Sequence, residues 1–317
     1  MSEIDNEPSA VPAVELSVVA PCFRESEGVR AFVEAIAPVL SACAASWEVI
    51  LVDDGSDDDT WKIIERVVAE YSGEVRGLRL SRNFGKEAAL IAGLEASRGA
   101  AVITIDADLQ HPVGVIPEMV ELWRGGAQVV DGVKRTRTGQ SAIHRAVSTV
   151  FNVVFTRLTA VDLNRATDFK LLDRAAVDAF AELREHNNFY RGTSQWIGFE
   201  RRSVEFDVDG RHAGSSRFTI TGLARLALRA LTSFTAAPLH LVTLSGLAFG
   251  VFALVLAVQT LVRFFTGEAV EGFTTIILIL LILGSLILTG LGVIGEYIAR
   301  IHDEVKARPR YIVSKRV

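Results

Sequence analysis

The sequence predicts an α/β domain on a mostly parallel sheet, followed by amphipathic helices and a two-helix transmembrane hairpin. Three observations carry that prediction. In the first half of the chain, short runs rich in β-branched residues alternate with stretches of helical periodicity. No residue bears a formal charge between Arg229 and Arg263, and none does between Glu271 and Glu296. The net charge of −5 divides into −7 over residues 1–229 and +2 over 230–317, so a polar acidic front is joined to an apolar end with a basic tail. The mean hydropathy of +0.31 is high for a soluble chain, and the two charge-free stretches account for it. An acidic front with no basic footprint excludes a nucleic-acid partner.

The elements follow in order. Residues 1–13 are polar, with no apolar run behind a basic start, which predicts a disordered N-terminus and no secretory signal. Strands are expected over 16–20, 48–53, 75–80, 101–106 and 128–132, with helices over 28–40, 58–71, 86–96 and 115–123 between them. Repeated β-α-β units with apolar strands imply a parallel sheet covered on both faces, with ligands bound beyond the carboxyl ends of the strands. Cys22 and Cys43 are too few for a disulfide framework or a zinc cluster, and read as small buried hydrophobes in a reducing compartment.

The soluble domain is expected to span 14–218. Within it, Ile143, Val147, Val150, Val154 and Leu158 recur at helical spacing away from Arg145 and Arg157, a pattern shared by membrane-surface helices and helices packed on a core. Ile220, Leu223, Ala227, Leu231 and Phe234 repeat the pattern beside Arg225 and Arg229, and place an interfacial helix at 219–237. Residues 239–262 and 272–295 then read as transmembrane helices in a segment 238–298; each run gives about 36 Å of helix against a hydrocarbon core of about 30 Å. Arg300, Lys306, Arg308, Arg310, Lys315 and Arg316 make 299–317 a basic tail on the cytoplasmic side, with both termini cytoplasmic.

The residues that carry the chemistry stand at the strand ends. After the first strand comes PCFRESEG, without the G-x-G-x-x-G of a dinucleotide site. After the second comes Asp53-Asp54-Gly55-Ser56-Asp57, and after the fourth Asp106-Ala107-Asp108-Leu109-Gln110-His111-Pro112. Two carboxylates and an amide at one strand end suit Mg²⁺ or Mn²⁺, and such a cation suits the departure of a nucleoside diphosphate. His111, followed by proline at a strand end, reads as positional.

These residues carry a resemblance. VVAPCFRE (18–25), EVILVDDGSDD (48–58), LSRNFGKEAAL (80–90), ITIDADLQHP (103–112), TDFKLLDR (167–174) and IGEYIARIHDEVKARPRYIV (294–313) resemble the polyprenyl-phosphate glycosyltransferases of glycosyltransferase family 2, the group of bactoprenol glucosyltransferases and dolichol-phosphate mannose synthases. The resemblance runs from about residue 15 to the end, and the two spans with the Gly-Glu-Tyr tail match the bactoprenol glucosyl type. It implies a GT-A-type fold in the cell's inner membrane, multi-pass. It implies a metal-dependent, inverting transfer of one sugar from a nucleotide sugar, UDP-glucose first, to polyprenyl (undecaprenyl) phosphate. The alternatives are a GDP-mannose-dependent mannose synthase, or an inactive member serving as a scaffold or flippase partner; self-association of the hairpin would give a homo-oligomer. A processive synthase lacks support, because no Gln-x-x-Arg-Trp element is present.

By residue, the resemblance implies that Asp106, Asp108 and Gln110 hold the metal. Pro21, Glu25, Asp53 and Asp54 would meet the nucleotide, and Arg82, Asn83, Gly85 and Lys86 would border the donor. Arg135 and Arg137 match cations for the acceptor phosphate, and Asp168 an acidic residue near the reacting sugar. Arg211 and the Gly214-Ser215-Ser216-Arg217 segment match a loop closing over the phosphates. Two positions depart from the family pattern: Arg24 stands where an asparagine is usual, and Arg217 where a lysine is usual.

Overall fold

The computed structural model describes residues 14–71, 73–135, 167–183, 190–206, 237–266 and 272–317. Two compact units result: one holds the described residues between 14 and 206 together with 309–317, the other those of 237–266 and 272–308.

The first unit is built on an eight-stranded sheet. Strand β1 (Val14–Cys22) lies between β2 (Trp47–Asp53) and β4 (Gly99–Thr104), with β3 (Val75–Leu80) beyond β2, all parallel. Beyond β4 comes β6 (Lys170–Asp173), antiparallel to β4 and to β5 (Val129–Lys134), and then β7 (Arg201–Phe206) parallel to β5. On the other flank β8 (Val313–Arg316) runs antiparallel to β3, so the order is β7-β5-β6-β4-β1-β2-β3-β8. The chain order reverses between β1 and β4, which is where an open α/β sheet leaves a crevice at its carboxyl edge.

Side-chain alternation divides the core between the two faces. Val18, Leu51 and Ile103 pack with Phe32, Ile36 and Leu40 of α1 (Gly28–Cys43), Ile64 of α2 (Thr60–Glu70) and Met119 of α4 (Ile116–Arg124). Val19, Ile50, Val52 and Val102 pack on the opposite face with Leu90 and Leu94 of α3 (Lys86–Ala96), Phe180 of α5 (Arg174–Glu182) and Tyr190 of α6 (Tyr190–Trp196). Helix α3 lies so close to β1 that a Cβ on Gly93 would come within 2.2 Å of Val19 Cγ1.

The expected parallel strands and their helices are all present; β3 and α3 keep their expected bounds, and the others shift at one or both ends. Strand β4 stops at Thr104, not 106: Ile105 N–H still donates to Val19 O, after which the chain leaves the sheet and carries Asp106 into the crevice. The tail expected at 299–317 divides. A helix continues to Val305, and Val313–Arg316 adds to the β3 edge, with Gly77 and Val317 exchanging backbone hydrogen bonds of 2.8 and 3.0 Å. The exposed β3 edge offers unpaired backbone groups, and the tail supplies their partners.

The second unit contains two long helices, α7 (Ala237–Phe265) and α8 (Phe273–Val305), which pack together with Val242 Cγ1 against Gly290. Among the described residues one stretch, Ile282–Ala299, is long and apolar enough to cross a membrane, with a mean hydropathy of 1.7; the apolar stretch of α7, Val242–Phe252, is shorter than a span. Leu247, Leu254, Ile287 and Leu288 are each more than half exposed, Leu288 by 71%. The amphipathic segments 143–158 and 220–234 lie outside the described residues, as do Arg137, Arg211, Ser216 and Arg217.

Candidate active site

A cleft of about 300 Å³ opens at the carboxyl edge of the sheet, lined by Pro21, Glu25, Asp54, Lys86, Asp106 and Asp108 among others. Residues after β1, β2, β3 and β4 contribute, as the chain reversal between β1 and β4 requires. Asp106 and Asp108 stand on the short segment leaving β4. There Leu109 adopts φ +57°, a left-handed turn that an L-residue enters at a cost, and the Gln110 N–H donates to Asp108 Oδ1 at 3.0 Å. That turn brings His111 back beside the two carboxylates: one ligand atom from each of Asp106, Asp108 and His111 lies within 4.8 Å of the others.

His111 is packed against Phe169 and Phe206, at 5.3 and 5.8 Å between ring centroids. Its Nδ1 is buried with no hydrogen-bond partner among the described residues, and burial holds its pKa below the ordinary value. A neutral imidazole beside two carboxylates is a donor set that fits Mn²⁺ or Mg²⁺. Glu25 faces the same group, and its pKa is raised by burial and then by Asp108 and Asp106.

The second half of the site is a clamp around Asp168. Lys86, the first residue of α3, places Nζ 2.6 Å from Asp106 Oδ1 and 2.7 Å from Asp168 Oδ2. Arg191 of α6 donates through Nε to Asp168 Oδ1 and through Nη2 to Oδ2, both at 2.7 Å. Burial alone would raise the pKa of Asp168, but the Arg191 hydrogen bonds and the Lys86 charge outweigh it and hold the carboxyl well below the usual range. Glu87 is the counterweight: burial first, and then the Asp168 charge, push it up to about 7.

Residues 17–179 match the model of glycosyl transferase family 2. The chain belongs to this family. It is 36% identical over 305 residues to an uncharacterised glycosyltransferase of Synechocystis sp., covering 95% of each chain. It is 35% identical over 307 residues to a prophage-derived bactoprenol glucosyl transferase of Shigella flexneri, covering 95% of this chain and 98% of that one. Among solved structures, glucosyl-3-phosphoglycerate synthase of Mycobacterium tuberculosis, in complex with Mn²⁺, UDP and phosphoglyceric acid, is similar over 70% of this chain and 78% of that one, at 20% identity and a TM-score of 0.49.

As a family 2 glycosyltransferase, the chain shows which motif residues face the cleft and which do not. Pro21, Glu25, Asp54, Asn83, Gly85, Lys86, Asp106 and Asp108 line it. Gln110 has an exposed side chain, and His111 is the residue gathered with the two aspartates. Asp54 uses both carboxylate oxygens on the backbone, accepting from Phe84 N–H at 2.7 Å and Gly85 N–H at 2.9 Å. Asp53 is fully buried; it accepts from Ser56 N–H at 3.0 Å and lies 3.3 Å from Arg79 Nε. Arg82 lies over the Phe84 ring at 4.1 Å. Arg24 turns to Asp57 through two 2.7 Å contacts, so the position where the family has an amide faces a loop carboxylate. Arg135, at the end of β5, reaches Glu205 at 3.4 Å.

Sequence reasoning did not find Arg191, Glu87 or the cross-strand network of Asp131, Lys170 and Arg201. In that network Lys170 Nζ and Arg201 Nη1 each lie 2.6 Å from Asp131, and Lys170 is fully buried. Asp131 and Lys170 lie on strands that pair across the sheet, Asp131↔Lys170, a relation that sequence spacing does not reveal.

Proposed function

We propose that the chain transfers glucose from UDP-glucose to a polyprenyl phosphate at the cytoplasmic leaflet, with inversion at the anomeric carbon. The observation that carries the reading is the extent of the match to bactoprenol glucosyl transferases. At 35% identity it covers 95% of this chain, and so takes in the long apolar helices as well as the sheet. The same reading makes residues 239–262 and 272–295 a membrane hairpin. In support, apolar side chains of α7 and α8 stand exposed where a water-soluble fold would bury them.

Asp106, Asp108 and His111 would hold a divalent cation, Mg²⁺ or Mn²⁺, which when bound neutralises the donor diphosphate. Lys86 lies between Asp106 and Asp168 and offers an ammonium to charge developing on the leaving group. The acceptor phosphate is already an anion at neutral pH, its second pKa being about 6 by analogy with phosphorylated side chains, so no strong base is needed. Asp168, ionised and held at both oxygens, orients the sugar or the acceptor and leaves proton abstraction aside. Arg135, Arg137, Arg211 and Arg217 provide cations against the repulsion between acceptor phosphate and diphosphate, with Ser216 in the closing loop.

The test is full-length protein in membranes or detergent with undecaprenyl phosphate and radiolabelled UDP-glucose, GDP-mannose or other nucleotide sugars, with Mn²⁺, Mg²⁺ or chelator. A lipid-linked glucose that requires the cation and disappears in Asp108→Asn is expected. Labelling from GDP-mannose alone overturns the donor assignment, and full activity of Asp108→Asn overturns the cation-site assignment.

A further inference from the structure

We propose that Arg191 is a positioning residue that fixes the carboxylate of Asp168 for sugar transfer. The inference rests on the transfer reading above and extends it to a residue outside the motifs of the sequence. Its first support is the fork geometry: Nε meets Oδ1 and Nη2 meets Oδ2, both at 2.7 Å, so the planar guanidinium sets the plane of the carboxylate. Lys86 adds a third contact at 2.7 Å, but an ammonium on a flexible stem defines a charge and not an orientation.

The second support is the mounting. Tyr190, the preceding residue, is fully buried; its hydroxyl lies 2.8 Å from Thr104 Oγ1, and its ring meets Phe180 edge-on at 5.3 Å. Thr104 Oγ1 in turn donates to the backbone carbonyl of Asp168 at 2.5 Å. The clamp and the residue it holds therefore hang from one threonine at the end of β4, two residues before Asp106. Ser194 Oγ closes on Arg191 O at 3.0 Å, fixing the helix turn that carries the guanidinium. A surface ion pair needs none of this.

The third support is electrostatic. Asp106 and Glu87 face Arg191 besides Asp168, Lys86 adds positive charge from α3, Lys170 interacts with Asp168, and Asp131 and Arg201 act on Tyr190. Arg191 is the cation with two hydrogen bonds to Asp168, and without it a buried carboxylate would rely on Lys86, which Asp106 also engages.

The experiment compares Arg191→Met and Arg191→Lys with the parent chain, full length in membranes, measuring kcat, KM for the nucleotide sugar and the pH profile of glycolipid formation. Arg191→Met is expected to lower kcat by about 10- to 100-fold, the scale of a misplaced reacting group. KM should stay within about twofold, and an acid limb should move up toward neutrality. Arg191→Lys restores the charge and with it the acid limb of the parent, while kcat stays depressed because one ammonium does not hold both oxygens. A parent-like kcat and pH profile in Arg191→Met, or a loss confined to KM, overturns the assignment. If Arg191→Met does not fold, Arg191→Lys decides alone: a lowered kcat with an unmoved acid limb supports the role, and a parent-like kcat ends it. If the parent forms no glycolipid, the transfer reading fails, and unfolding against pH still judges the clamp. Asp168 with a depressed pKa contributes stability that is lost as pH falls, so the parent should lose more stability toward acid than Arg191→Met; parallel curves overturn the clamp.

Discussion

Asp54→Asn decides whether the second carboxylate after β2 serves the nucleotide or the protein. Asp54 is 2% exposed and accepts the N–H groups of Phe84 and Gly85, one on each oxygen. An amide has one oxygen and one NH₂, so in either orientation one backbone N–H faces a donor. The charge-assisted bond lost is worth about 1.5–3 kcal/mol, and the buried N–H left unsatisfied about 1–3 kcal/mol. Part of this is offset, because burial already raises the pKa of Asp54 and a neutral side chain escapes that cost. A net loss of about 2–3 kcal/mol corresponds to roughly 4–12 °C in Tm for a domain of this size.

The assay is thermal unfolding of the full chain without nucleotide, followed by tryptophan fluorescence. The two N–H groups begin the turn that leads into Lys86, so a fall in kcat should accompany the fall in Tm. If Asp54 serves the nucleotide instead, Asp54→Asn keeps the parent Tm without ligand and raises KM for the donor. That pattern would refute the structural role.

Four further outcomes are expected. His111→Ala lowers Mn²⁺ affinity in the absence of substrate by about 10- to 100-fold, while Gln110→Ala leaves it within twofold; calorimetry or Mn²⁺ resonance reads this, and the reverse ranking moves the third ligand to Gln110. Lys170→Met breaks a buried ion pair and costs about 3 kcal/mol, read as a lowered denaturant midpoint; an unchanged midpoint would show that Arg201 alone suffices for Asp131. Deleting residues 312–317 uncovers the β3 edge, so hydrogen exchange at Gly77 and Ser81 should accelerate, and unchanged protection there would place the tail off the sheet. Glu87, with its folded pKa raised to about 7, contributes stability that is full below its ordinary 4.5 and lost as pH rises through 7; Glu87→Gln should flatten unfolding against pH in that window, and an unaltered curve contradicts the shift.

The parallel core was legible because its strands are apolar on both faces and its helices carry their own period: β1, β2 and β4 appear as continuous runs, and α1 buries Val29, Phe32, Val33, Ile36 and Leu40 in helical register. The antiparallel additions were not. Strand β8 reads Val-Ser-Lys-Arg, polar at three of four positions, and its partners at Leu78 and Arg79 lie far back in the chain, so nothing local separates it from a basic tail. The aspartates after β4 were legible because a strand end in such a sheet has a fixed place. Asp53 and Asp54 looked equivalent in sequence, but their consecutive side chains diverge, one toward Ser56 and Arg79, the other toward the loop before α3. Arg191 was not legible because Tyr-Arg-Gly-Thr-Ser-Gln-Trp carries no helical period; its place depends on Tyr190 finding Thr104.

The charges of the cleft fix the form in which a donor can enter. Asp106, Asp108, Asp168 and Glu25 face Lys86 and Arg191, so the side chains alone leave an excess of negative charge. The protein already limits that excess: Glu87 is pushed up to about 7, and the pKa of Glu25 is raised by burial and by Asp108 and Asp106. A nucleoside diphosphate adds at least two further negative charges to this surface, and repulsion at such distances in a partly buried site amounts to several kcal/mol. Lys86 brings one positive charge toward them, shared with Asp106 and Asp168, and so does not balance them alone. Under the proposed reading, the acidity that sets the front of the chain at −7 therefore selects a diphosphate already paired with a cation over a bare one. Asp168 is exempt from that selection: its charge is matched by Arg191 before any ligand arrives, and so stays available to the sugar.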